Sequence, residues 1–69
     1  MSDFDKQEYL TSLCDYGVPY INIKVRQLIM KNKDNIIKEL SNDFNISKED
    51  ALEIFKTWEL VEEKLNYIK

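Results

Sequence analysis

The reactive inventory of this chain is thirteen carboxylates, ten basic side chains, one cysteine, four tyrosines and no histidine. Without histidine, the Ser-His-Asp and Cys-His nucleophilic arrangements are excluded. So are imidazole metal ligands and the usual acid–base group near neutral pH. The single thiol, Cys14, makes neither an internal disulfide nor a thiolate metal site. No glycine-rich phosphate loop and no calcium-loop spacing occurs. Carboxylate pairs remain, because two carboxyl groups of different pKa can work as acid and base. The adjacent acids Glu49-Asp50 and Glu62-Glu63 instead stand where a helix N-terminus and a solvated helix face place them. The expectation is no enzyme, no metal and no cofactor. Cys14 is expected as a small buried hydrophobe on the apolar face of a first helix.

Helices must position whatever these groups do. Apolar residues make up 43% of the chain and charged residues 33%, with one glycine and one proline, too few for a loop-rich or all-β domain. The expected fold class is all-α: one domain, 1–69, a small bundle of three to four helices over roughly 3–15, 20–31, 34–44 and 47–68. Ser2 or Asp3 is placed to cap the first helix. "YGVP" ends it, with Gly17 suited to the left-handed residue after a helix and Pro19 to the first turn of the next. "KNKDN", residues 31–35, is a polar break where a helix should stop or bend. Ser47 opens the last helix as its cap, with Asp50 three residues on and Ile46 and Ala51 spaced as a hydrophobic staple. Phe44, Phe55 and Trp58 fall at core spacing. Tyr16 and Tyr20 flank the turn, and Tyr9 and Tyr67 lie near the two ends.

Between residues 20 and 30 two periods compete. Ile21, Ile23 and Val25 alternate as in a strand, whereas Ile21, Val25, Leu28 and Ile29 follow one helical face. Helix is favoured, since a lone strand has nothing here to pair with. That face is expected to be core. Ile23 and Met30 then lie opposite it, flanked by Lys24, Arg26, Lys31 and Lys33, and Leu60 falls off the Trp58/Val61/Leu65 face. Two readings follow. Either the second stripe is also core, or it is an apolar strip that seats a partner helix or a second copy of the chain.

Charge is laid out in blocks. Residues 1–19 carry four acids and one base, residues 20–38 five bases and one acid, and residues 39–69 eight acids and four bases. An acidic–basic–acidic order folds onto itself through pairing between helices. The alternative is a basic middle that meets an acidic protein or nucleic acid. No apolar run approaches the roughly 20 residues that span a membrane. "MSDFDKQE" is acidic and polar, unlike a signal peptide. A cytoplasmic protein without membrane contact is expected.

"LSNDFNISKEDALEIF", residues 40–55, resembles the helix-turn-helix pattern of phage-type repressors. Ser41 stands at its small-residue position, Phe44 and Ile46 on either side of the turn, and Ala51 and Ile54 at the inward positions of the second helix. The resemblance implies a DNA-reading helix presenting Ser47, Lys48, Leu52 and Lys56. Glu49, Asp50 and Glu53 would then face phosphates, against the attraction that supplies most non-specific affinity. "NISKEDALEIF" is also similar to the segment opening the second helix of ubiquitin-associated-type domains, in the version carried by the nascent-polypeptide-associated complex. The leading expectation is a non-catalytic protein–protein interaction module, a small regulator or inhibitor of a larger protein, with possible self-association. A DNA-binding regulator is the alternative.

Overall fold

A computed structural model describes residues 4–68, with side chains from 4 to 66. Four helices follow one another: α1 (Lys6–Cys14), α2 (Val18–Met30), α3 (Lys33–Phe44) and α4 (Lys48–Ile68). No strand occurs among the described residues, and residues 20–26 are helix. The expected caps Ser2 and Asp3 lie outside the described residues. The cap of α1 is Asp5, whose carboxylate accepts from the Gln7 and Glu8 N–H groups at 3.1 and 3.2 Å.

The first turn is built differently from the expectation. Tyr16, not Gly17, adopts the left-handed conformation, at φ 59°. It lets the Gly17 N–H donate to the Ser12 carbonyl at 2.9 Å, the closure that ends many helices. Gly17 itself is extended and serves as N-cap of α2. A Cβ there would stand 3.3 Å from the Ser12 carbonyl oxygen, a tight contact that the turn would have to relieve by a few tenths of an ångström.

The break at 31–35 is a tight corner. Lys31 is left-handed at φ 56°, and the Asn32 side chain accepts from the Asp34 N–H at 3.0 Å to start α3. The next corner, between α3 and α4, turns on Asn45 at φ 54°, a residue type that tolerates this conformation. Ser41 clasps it twice. Its carbonyl accepts from the Ile46 N–H at 3.1 Å, and its hydroxyl donates to the Ile46 carbonyl at 2.7 Å. Ser47 then caps α4 by accepting from the Asp50 N–H at 3.1 Å. Residues 40–55 thus form the end of α3, a tight turn and the start of α4. From there α4 runs unbroken past Thr57, whose hydroxyl turns back onto the Glu53 carbonyl.

All four helices contribute to one core of Leu13, Ile23, Ile36, Leu40, Ala51, Ile54, Phe55 and Trp58. Phe4, Tyr9 and Phe44 form an aromatic cluster against it, with Phe4 and Phe44 stacked at 4.5 Å between centroids. Tyr67 and the side chain of Ile68 lie outside the described side chains. Cys14 departs from expectation and is exposed. Leu13 is the buried residue of α1, and the next position is turned roughly 100° away from it. Nor is there a helix among the described residues long and apolar enough to cross a membrane.

Candidate functional site

The two faces of α2 are reversed relative to the expectation. Ile23 is fully buried and Met30 is packed against the core. The face expected inside is outside: Val18 is 70% exposed, Ile21 57%, Val25 46%, Leu28 65% and Ile29 75%. Ile23 and Met30 are therefore core residues, not an exposed strip. The exposed strip is made of the residues expected on the core face.

The polar residues beside Ile23 are accommodated at the edge of the core. Tyr20, Lys24 and Arg26 have long amphipathic side chains that can lie along the protein and place their polar ends at its edge. Acids on the neighbouring helices pair with them there. Glu62 of α4 accepts hydrogen bonds from both the Tyr20 hydroxyl and the Lys24 ammonium. Asp43 of α3 accepts from the Arg26 guanidinium, with Glu39 at 3.9 Å. The inner face of α2 is thus Tyr20, Ile23, Lys24, Arg26, Gln27 and Met30, half of it polar. Only then are the five remaining apolar positions left to solvent. The basic middle thus pairs with the C-terminal acidic block; among the described residues the first block joins this pairing through its one base, Lys6 of α1, which bridges Asp50 at 3.3 Å and Glu53 at 3.0 Å, and not through its acids.

These pairs tune their members. Burial pushes the Glu62 carboxyl up, but the hydrogen bonds from Lys24 and Tyr20 outweigh it and hold the group below the usual range. Burial, and then the bond to Glu62, push the Tyr20 hydroxyl up to about 12. The Lys6 ammonium is raised, first by Glu53 and then by Asp50.

The strip itself is regular. Val18, Ile21, Val25 and Leu28 recur at three- and four-residue steps, the spacing of a coiled-coil seam, and Ile29 widens it on one side. Together the five expose roughly 500 Å² of apolar surface, near the upper end for the largest patch on a monomer. Tyr16, also exposed, stands just before α2 and packs edge-on against Tyr20 at 5.6 Å. The seam spacing was available in the sequence. What hid it was the assumption that the most apolar face of a helix is the one that goes inside.

The remaining expected site residues separate. Lys24 and Arg26 rim the strip but are held by their acids. Lys31 is exposed at the corner, and Lys33 lies over the Phe55 ring at 5.8 Å. Both line a shallow depression of about 320 Å³ with Gln27, Ile36, Phe55 and Glu59. Leu60 is exposed, but its surroundings are Lys56, Glu59 and Glu63. Helical geometry turns it roughly 160° from Glu62, the residue that faces α2, so Leu60 does not join the strip.

At the corner between α3 and α4, Ser47 is occupied as a cap and Leu52 is half-buried. Lys48 and Lys56 are exposed, among the acids Glu49 and Glu53. Among the described residues no group of three or more histidines, cysteines or acids is placed to hold a metal ion.

The chain matches no protein-family model, no curated protein and no solved structure. The likeness of residues 40–55 to repressors and to ubiquitin-associated-type domains therefore rests on that stretch alone.

Proposed function

We propose that this chain is a non-catalytic protein-interaction module, a small regulator or inhibitor inside the cell, that docks helix to helix through the outward face of α2. The observation that carries this reading is the seam Val18, Ile21, Val25 and Leu28, widened by Ile29 and open to solvent. At about 25 cal/mol per Å², covering roughly 500 Å² contributes on the order of 10 kcal/mol before association entropy is subtracted. Association costs about 4–15 kcal/mol, so the area supplies the driving force for docking but does not by itself set the affinity. α2 is held by its caps and by the pairs to Glu62 and Asp43, so little ordering is needed on docking. The chain has no histidine and a single thiol, which supports a role without catalysis.

The clasped corner at Ser41 and Ile46 favours the DNA-reading alternative by its shape. Its chemistry is less favourable. Ser47 is spent on capping, and Glu49 and Asp50 fill the first turn of α4. That leaves Lys48 and Lys56 for a phosphate backbone.

The test is affinity capture from the cells that express the chain, with nuclease-treated and untreated halves and with wild type beside Ile21→Lys/Leu28→Lys. A protein, whether another copy of this chain or a different one, should be retained by wild type, survive nuclease and be lost with the variant. Retention that disappears with nuclease and ignores the variant would transfer the function to the α4 corner.

A further inference from the structure

We infer that the occupant of the α2 face is a second copy of this chain, paired seam to seam in a two-fold dimer. This rests on the reading of α2 as a docking face and names what fills it. The seam is self-complementary in shape. Val18 and Val25 occupy one type of seam position, and Ile21 and Leu28 the other. β-Branched residues at the first type with leucine at the second, as in Val25 and Leu28, suit the packing of two helices into each other, and Ile21 departs from that pattern at one position.

Charge points the same way. α2 contains no acid. Its bases Lys24 and Arg26 would make a self-facing surface repulsive if they were unpaired, but Glu62 neutralises one and Asp43 and Glu39 the other. The Lys24–Glu62 pair is neutral and the Arg26 cluster carries one acid in excess, so the rim holds no block of like charge. It repels no identical face and holds little unpaired charge with which to select an oppositely charged partner. Lys31, at the far end of the helix, is the exception: no ion pair engages it among the described residues.

Area is sufficient. Two strips pressed together cover roughly 1,000 Å² of apolar surface, and the rim residues Tyr16, Asn22, Lys24 and Lys31 bring the total to the lower end of a specific interface, about 1,200 Å². A two-fold arrangement needs only one patch on each copy, and it is the commonest form of soluble oligomer.

The experiment is equilibrium sedimentation of the intact chain from about 1 to about 500 μM. Wild type should pass from the mass of one chain, 8.3 kDa, to twice that value. Ile21→Lys/Leu28→Lys should stay at the single-chain mass over the whole range with its helical circular dichroism intact. Leu60→Lys, on another face, should dimerise as wild type does. A wild type that stays monomeric at the highest concentration overturns the inference, as does a dimer that survives the double substitution. A monomer that still captures a different protein through α2 leaves the docking reading standing. A monomer that captures nothing removes both.

Discussion

Ile21 and Ile23 stand two residues apart on α2 and face opposite environments. Ile23 is fully buried in the core that residues of α1, α3 and α4 share, while more than half of Ile21 meets solvent. The same side chain therefore has two separable roles, one in holding the fold and one in presenting a surface.

Truncation should separate them. Ile23→Ala removes buried methyl groups and leaves a cavity, at a cost of about 2–4 kcal/mol. Ile21→Ala should change stability by no more than about 0.5 kcal/mol. Urea denaturation at a concentration where the chain is monomeric checks this. Equal losses at the two sites would contradict the assignment of faces.

Lys31 sits at φ 56° with an exposed side chain and no ion pair among the described residues. A left-handed conformation costs an ordinary residue about 1–2 kcal/mol, and glycine avoids most of it. Lys31→Gly is expected to raise the thermal midpoint by several degrees, given about 4–8 °C per kcal/mol for a domain of this size. An unchanged or lower midpoint would mean that the lysine stem contributes packing that offsets the strain.

The Ser47 hydroxyl holds the first turn of α4, the helix that meets every other element. Ser47→Ala should cost about 1 kcal/mol, and Ser47→Asp should retain most of the stability. Thermal melts of the two variants side by side give the comparison.

Glu62 joins α4 to α2 and carries a pH dependence. Its carboxyl is held below the unfolded value, so its stabilisation is present above the ordinary carboxylate range and is lost as pH falls through the lowered value. Tyr20 has the opposite sign. Its hydroxyl is raised to about 12, so that stabilisation is complete below about 10 and is lost as pH rises toward 12. Glu62→Gln should flatten the acid limb of the stability profile relative to wild type. An acid limb identical in the two proteins would assign it to other carboxylates.

Much of the fold was legible because local signals agreed with one another. Pro19, Asn32, Asn45 and Ser47 punctuate the chain where the helices stop and start, and the spacing of Ala51, Ile54, Phe55 and Trp58 marks the inner face of α4. The left-handed residue of the first turn is displaced by one position from the expectation: it falls on Tyr16, while Gly17 serves as the extended N-cap of α2. The candidate site was misread for a different reason. Apolar count chose Ile21, Val25, Leu28 and Ile29 for the interior, but the side of α2 that carries Tyr20, Lys24 and Arg26 is the one that meets the acids of α3 and α4. Those contacts join residues far apart in the chain, and a helical period read on α2 alone does not contain them.

The central claim is that α2 presents a protein-docking face, and photo-cross-linking inside the expressing cells tests it at single positions. A photoreactive amino acid placed in turn at Ile21, Leu28, Leu60 and Lys48 samples the strip, the opposite side of α4 and the corner. The account predicts discrete protein adducts from Ile21 and Leu28 and none of comparable yield from Leu60 or Lys48. Adducts concentrated at Lys48, or equal at all four positions, would contradict it.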